Sequence, residues 1–164
     1  MDTDRISAEP IYLRERMDEQ ALLAMLHDLI ETSRDGEAGF RSCSEEAMGL
    51  QLKSAFTCRS QRCAAAAREL TALLHTLGDD SAANGTCTLH RRWIDIRSII
   101  LNKDNSVVLI QCERGEAMAL NSYRNALDAE LPAAVRKVLE RQYQDVLQHD
   151  GQIKFLRDQM RSYG

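Results

Sequence analysis

Proline and aromatic residues are scarce in this sequence. It contains two prolines, and Phe, Trp and Tyr make up 5% of its 164 residues. An antiparallel β-sandwich needs β-branched residues, aromatic residues and frequent turns, so the composition argues against that class. Hydrophobic residues make up 44% of the chain, which argues against intrinsic disorder. We therefore expect one mostly helical domain.

Long apolar runs are also lacking. Residues 1–10, MDTDRISAEP, have no apolar core of the kind that a signal peptide carries. The longest apolar runs, such as residues 64–67 and 107–110, are far shorter than the roughly 20 residues that span a bilayer. The net charge of −4 argues against a general nucleic-acid binder. The expectation is a cytoplasmic protein that binds neither membranes nor nucleic acid.

The cysteines form no C-x-x-C pair, and their number is odd. They are Cys43, Cys58, Cys63, Cys87 and Cys112. This pattern gives little support to a structural zinc site or to a disulfide framework. We expect the thiols to serve as small core residues.

Four long stretches place small and apolar residues at alternating steps of three and four, which is the spacing of a helix packed along one face. They run from about 18 to 47, 50 to 77, 106 to 129 and 132 to 161. Pro132 suits the first turn of the fourth helix, whereas Pro10 is expected to interrupt any earlier helix. Residues 1–17 are therefore predicted to form a flexible arm, and residues 18–162 a single domain.

The connections between these helices are short, long and short in turn. The long connection, residues 78–105, contains an amphipathic stretch at 89–101 that is predicted to form a short helix. This order of loop lengths is typical of an all-α, ferritin-like up-down-down-up four-helix bundle with one long crossover.

A Gly-Glu-Ala motif occurs in the middle of the first and of the third helix, with its glutamate at Glu37 and Glu116. Glycine inside a helix costs about 1 kcal/mol relative to alanine, and close approach of a neighbouring helix is one reason to keep it. Both glutamates lie on the apolar face, where a carboxylate must be paired, protonated or bound to a cation. Two alternatives stay open. The glutamates face each other across a metal ion, or they pair with the nearby Arg34, Arg41 and Arg114.

The fourth helix places Gln142 and His149 on its apolar face, one heptad apart. Opposite two glutamates, these side chains are candidate metal ligands or members of a hydrogen-bond network. A lone histidine on an apolar face is more often a hydrogen-bonded core residue than a ligand, so that alternative is kept.

Four segments resemble an uncharacterised family of ferritin-like four-helix-bundle proteins that is best known from proteobacteria. They are LIETSRDGEAGF (29–40), SQRCAAAARELTALL (60–74), LHRRWIDIRSIIL (89–101) and CERGEAMALNSYRNAL (112–127). The resemblance covers about residues 20–160 and is strongest at residues 35–37 and 112–116. It implies a ferritin-like bundle with at most a metal-binding or stress-related role and no assigned activity.

Ferritin-like di-iron proteins supply a glutamate from each of two helices and a Glu-x-x-His from each of the other two. By the resemblance, Glu37 and Glu116 match the two single glutamates. Both Glu-x-x-His motifs are absent, because the corresponding segments read QRCA (61–64) and QYQD (142–145). A ferroxidase or oxygenase centre is therefore not expected.

The first functional hypothesis is a metal-binding bundle with a reduced ligand set. Glu37 and Glu116 would bridge one cation, and Gln142 or His149 would complete its ligands. Carboxylate-rich ligation suits iron or manganese in their divalent states better than copper.

The second hypothesis is a metal-free helical interaction or stress-response module. Residues 89–101 place Trp93 and Ile96 near Arg92, a combination that suits partner docking or formation of a homodimer. The alternative for this segment is that it packs on its own bundle.

Overall fold

The computed structural model describes the backbone of residues 9–84 and 105–163, and the side chains of residues 19–82 and 105–163. Within these ranges the chain forms four α-helices and no β-strand. The helices are α1 (Glu9–Glu46), α2 (Leu50–Thr76), α3 (Asn105–Leu127) and α4 (Ala133–Ser162), and a short 3-10 turn, Ser81–Asn84, follows α2. The predicted all-α four-helix bundle is confirmed.

The first helix begins earlier than the sequence suggested. Helix α1 starts at Glu9, so Pro10 lies in its first turn. A proline is tolerated there because the first backbone N–H groups of a helix have no intrahelical acceptor. The prediction that the first helix begins at about residue 18 is therefore wrong. The division into an arm and a bundle domain stays a prediction.

The direction of the helices follows from their contacts. The Met48 amide donates to Asn105 Oδ1 at 2.8 Å, and Asn105 Nδ2 donates to the Met48 carbonyl at 2.9 Å. Helix α3 therefore begins at the end of the bundle where α1 ends, so α2 and α3 run in the same direction. Tyr123 on α3 donates to Gln142 on the antiparallel α4 at 2.8 Å. The up-down-down-up order predicted from the loop lengths is confirmed.

A glycine in a tight turn lies at each end of α2. Gly49, between α1 and α2, has φ 97°, and Gly78, just after α2, has φ 86°. Both values lie in the left-handed region, which glycine occupies without the steric cost that a side chain would bring. The Gly78 and Asp79 amides donate to the carbonyls of His75 and Leu74, which closes the last turn of α2.

The core consists of two apolar clusters with polar side chains between them. One cluster lies toward the α1–α2 turn and includes Phe40, Phe56, Val108 and Leu156. The other lies toward the α3–α4 turn and includes Leu29, Leu70, Leu120 and Leu139. The buried polar residues of the described part of the chain are Thr32, Ser33, Asp35, Arg59, Ser60, Glu116, Gln142 and Asp150. The bundle thus has a polar layer at mid-height, and this layer positions the candidate site.

Among the described residues, no helix combines the length and the apolar character needed to cross a bilayer.

Candidate functional site

The centre of the polar layer is an ion pair between Arg59 on α2 and Glu116 on α3. Arg59 Nε donates to Glu116 Oε1 at 2.5 Å, and Nη2 donates to Oε2 at 3.0 Å. The Glu116 side chain is 0% exposed and that of Arg59 is 7% exposed. The guanidinium carbon of Arg59 also lies 5.4 Å from the centre of the Phe40 ring. Arg59 therefore supplies the positive charge that a carboxylate in a bundle core requires.

Burial and charge act in opposite directions on this pair. Burial raises the pKa of Glu116, and the hydrogen bonds and charge of Arg59 partly offset that effect. Burial also disfavours the charged form of Arg59, but Cys63 and the Glu116 carboxylate more than compensate, so the pKa of Arg59 is raised. Because both groups are removed from water, each depends on the other to stay charged.

A small cavity adjoins the ion pair. It has a volume of about 30 Å³ and is lined by residues of all four helices, among them Ser33, Cys63, Tyr123 and Gln142. A cavity of this size has room for water molecules, which need about 10–15 Å³ each. The polar groups beside the ion pair can therefore be hydrated from this cavity.

Gly36 explains how α1 and α2 approach each other beside the cavity. A Cβ atom at Gly36 would lie 2.8 Å from Cys63 Sγ, which is closer than real Cβ contacts allow. The Ser60 hydroxyl donates to the Glu37 carbonyl at 2.8 Å at the same level of the bundle. The close helix approach suggested by the first Gly-Glu-Ala motif is therefore present.

The structure does not bring the two candidate glutamates together. Glu37 pairs with Arg41 on its own helix, with Oε1 and Nη2 at 2.6 Å, and its side chain is 25% exposed. Glu116 pairs with Arg59 on α2. Of the two alternatives that the sequence left open, the geometry matches pairing with arginine, and for Glu37 it is one of the arginines named there.

The other two candidate ligands also have separate surroundings. Gln142 accepts a hydrogen bond from Tyr123 and donates to Glu69 Oε2 at 3.0 Å. His149 is partly buried, and burial together with the charges of Arg59 and Arg62 lowers its pKa to about 4. In the part of the chain with described side chains, no three His, Cys, Asp or Glu residues form a group suited to a metal ion.

Arg59 is the functional residue that sequence reasoning missed. The arginines considered for pairing lay near the glutamates in sequence, whereas Arg59 is 57 residues from Glu116. A usable signal was present, because Arg59 lies three residues after Phe56 and four before Cys63, both on the apolar face of α2. That spacing places an arginine on the inner face of a helix, where it needs a buried acid.

Long polar side chains bridge α2 and α4 over this region. Arg62 and Asp145 form an ion pair at 3.4 Å, and Arg141 pairs with Glu69. Gln142 joins the second pair through its bond to Glu69. These contacts close the side of the bundle next to the cavity.

An apolar groove lies at the end of the bundle where α1 meets α2 and α4 ends. Among the described residues, the large hydrophobic side chains that are more than a third exposed are Met48, Leu50, Leu77, Ile110, Phe155, Met160 and Tyr163. Met48, Leu50, Met160 and Tyr163 all line this groove. Leu50 is 86% exposed and Tyr163 91%. Clustering of exposed apolar side chains marks an interaction surface more often than scattered ones do.

One predicted feature is the interaction surface of the crossover. Trp93, Ile96 and Arg92, together with the predicted short helix at 89–101, lie outside the described residues. That surface stays a prediction.

Comparison with known proteins gives a family but no activity. The family described as Domain of unknown function (DUF2383) matches residues 21–129. The match spans most of α1, all of α2 and α3, and both members of the central ion pair. No curated protein matches the chain.

Proposed function

This chain belongs to the family described as Domain of unknown function (DUF2383), and we propose that it acts as a metal-free helical interaction module that forms a homodimer. The observation that carries the proposal is the apolar groove at the end of the bundle. A monomer that kept this groove in water would expose the side chains of Met48, Leu50, Met160 and Tyr163. Burying them is favourable at about 25 cal/mol per Å² of apolar surface.

A second copy of the same chain is the partner that suits the groove. In a two-fold dimer the same patch on each subunit meets its counterpart, so an apolar groove becomes buried against an apolar groove. The rim carries both signs of charge, because the exposed Glu45 lies near the end of α1 and the exposed Arg161 near the end of α4. A two-fold axis through the groove can bring the acidic rim of one copy to the basic rim of the other.

The central ion pair supports the metal-free part of the proposal. Both oxygens of Glu116 accept hydrogen bonds from Arg59, so the buried carboxylate is already neutralised by a guanidinium and needs no cation. Glu37 would have to leave Arg41 and turn inward to join it. Metal binding through Glu37, Glu116, Gln142 and His149 is therefore the less favoured candidate.

The proposal includes a distant relation to ferritin-like bundles. It is supported by the up-down-down-up order of the helices and by a buried glutamate at mid-height of α3. In this chain Arg59 provides at mid-height the positive charge that iron provides in a di-iron protein. The role is then structural instead of catalytic.

Equilibrium sedimentation of the full chain tests the dimer. We expect the wild-type protein to approach twice its monomer mass of 18.5 kDa as concentration rises. Leu50→Asp should lower the association constant at least about tenfold, because a charge would be placed in the buried groove, and each tenfold corresponds to about 1.4 kcal/mol. Tyr163→Ser should act in the same direction and cannot disturb the fold from the end of the last helix.

Leu77→Asp is the matched control. Leu77 is also an exposed leucine, but it lies at the opposite end of α2 from Leu50. Its substitution should leave the dimer unchanged, and circular dichroism should show the same helix content in all variants. A monomeric wild-type protein would contradict the proposal. A dimer that survives both groove substitutions but dissociates in Trp93→Ala would place the interface on the crossover instead.

A further inference from the structure

Two buried thiols meet between α1 and α3. Cys43 on α1 and Cys112 on α3 have their sulfur atoms 3.2 Å apart, although they are 69 residues apart in sequence. Both side chains are 0% exposed and lie in the apolar cluster near the α1–α2 turn. Neither residue has a part in the central ion pair or in the apolar groove.

Hydrogen bonds near the two cysteines help to keep their sulfur atoms next to each other. Met48 and Asn105 are joined by two hydrogen bonds about one to two turns farther along the same two helices. A disulfide has sulfur atoms about 2.05 Å apart and tolerates no large movement of its Cα atoms. The two sulfurs are in van der Waals contact, so the pair already has the proximity that bond formation requires.

We propose that Cys43 and Cys112 are an oxidation site, at which a peroxide converts the two thiols into an intramolecular disulfide that ties α1 to α3. In the first step one thiol sulfur attacks a peroxide oxygen, and the products are a sulfenic acid and one water when the oxidant is hydrogen peroxide. In the second step the other thiol displaces the hydroxyl group from that sulfenic sulfur. The sulfur–sulfur bond forms and a second water leaves.

The two steps together are balanced in atoms and electrons, and they need no further reactant. Two thiols and one hydrogen peroxide give one disulfide and two waters. The pair of thiols loses two electrons, the peroxide gains them, and the two thiol protons end in the waters. The assignment does not depend on whether the protein dimerises.

The burial of the thiols explains why the pair can stay reduced under ordinary conditions. Burial raises the pKa of Cys112 well above its usual range, and the neighbouring Cys43 adds to the effect. The thiolate is the reactive form, so the reaction is slow. The site then responds to sustained exposure to peroxide.

The remaining cysteines provide internal comparisons. Cys58 on α2 is exposed, and Cys63 is buried against Gly36. If exposure alone decided oxidation, Cys58 would react and the buried pair would not. Cys87 lies outside the described residues.

Peptide mapping of the full-length protein tests the assignment. The reduced protein is treated with hydrogen peroxide under native conditions, alkylated after unfolding, and digested with trypsin without reductant. Each of the five cysteines falls on its own tryptic peptide, because a Lys or Arg separates each from the next. We expect a cross-linked species that joins residues 42–53 to residues 104–114 and lacks two hydrogen atoms relative to the two free peptides. Dithiothreitol should separate them.

Two cysteine variants serve as controls for this experiment. Cys58→Ser is the matched control and should keep the cross-link, whereas Cys43→Ala should abolish it and leave Cys112 as a thiol. Cross-linking of Cys43 or Cys112 to any other cysteine would overturn the proposal. Recovery of both as free thiols after Cys58 has been oxidised would also overturn it. So would a sulfinic acid at either position with no cross-link.

Discussion

The guanidinium of Arg59 binds the carboxylate of Glu116 at mid-height of the bundle, where one of the two sequence hypotheses placed a metal ion and the other an arginine. The bond is bidentate and excluded from solvent. A buried pair of this kind adds little net stability compared with well-packed apolar residues, but loss of one partner is severe, because a charge is then left in the core. Losing one partner should therefore cost far more stability than losing both.

Removing one partner should destabilise the protein far more than removing both. We expect Arg59→Met or Glu116→Leu alone to lower the free energy of unfolding by about 3–5 kcal/mol. The double variant Arg59→Met/Glu116→Leu should lose much less than the sum of the two. Urea unfolding followed by circular dichroism measures all four proteins. Additive losses in the double variant would show that the two side chains do not act as a pair.

The same pair predicts the response to metal ions. Addition of Mn²⁺ or Fe²⁺ should leave the midpoint of thermal unfolding of the wild-type protein unchanged, because Glu116 is already bound by Arg59. Elemental analysis of protein expressed with supplemented iron and manganese should find no stoichiometric metal. A metal-dependent rise in the midpoint that disappears in Glu116→Ala, and also in Glu37→Ala, would instead support the metal-binding hypothesis.

Gly36 should be intolerant of even one methyl group. In Gly36→Ala the added Cβ would meet Cys63 Sγ at 2.8 Å, and overpacking of this kind costs about 1–3 kcal/mol. In a Cys63→Ala background the contact is relieved, and the same change should become stabilising by up to about 1 kcal/mol through helix propensity. Differential scanning calorimetry of the four proteins checks the change of sign.

Gly151 is the matched control for that substitution. It lies within α4, and nothing lies within 4 Å of a Cβ built there. Gly151→Ala should therefore stabilise the protein by about 0.5–1 kcal/mol in either background. If both alanine substitutions were equally stabilising, close helix approach at Gly36 could not be the reason for that glycine.

Because the pKa of His149 is lower in the folded protein than in the unfolded chain, the stability of the fold depends on pH. Its pKa is about 4 in the folded protein and 6.5 in its ordinary state, because burial and the charges of Arg59 and Arg62 oppose protonation. Between these values the unfolded chain binds more protons at this site than the folded one does, so stability falls as pH is lowered from about 6.5 to 4. The loss from this residue is about 1–3 kcal/mol, allowing for its partial exposure. Chemical unfolding at several pH values should show a shallower loss for His149→Gln than for the wild type.

The helices were predictable because their signal is repeated many times. Each long helix carries at least five small or apolar residues at steps of three and four, so single exceptions such as Glu116 do not hide the pattern. The start of α1 was not predictable from Pro10 alone, since the same residue stops a helix in its interior and suits its first turn. The up-down-down-up order of the four helices was predictable from the lengths of the connections between them.

The site was predictable only in part. Spacing placed Glu116 on the inner face, and the structure buries it completely. Spacing also placed Glu37 there, but its carboxylate is 25% exposed and pairs with Arg41 on the same helix. The partner of a buried charge depends on which helices lie across the bundle from each other. That relation comes from tertiary packing. The arginines close to Glu116 in sequence therefore do not include its partner, Arg59.

The parallel course of the first and last helices has a practical consequence for experiments on this protein. Helix α4 ends beside the apolar groove, whereas α1 begins at the opposite pole, and a helix of 30 residues such as α4 is about 45 Å long. A purification tag that follows α4 would begin close to the groove and could block the proposed self-association, so a tag that precedes α1 is preferable. Helix α1 has 38 residues, so the starts of the two α1 helices in an end-to-end pair would be about 110 Å apart. That separation is too great for efficient energy transfer, so sedimentation is the better measurement of the proposed dimer.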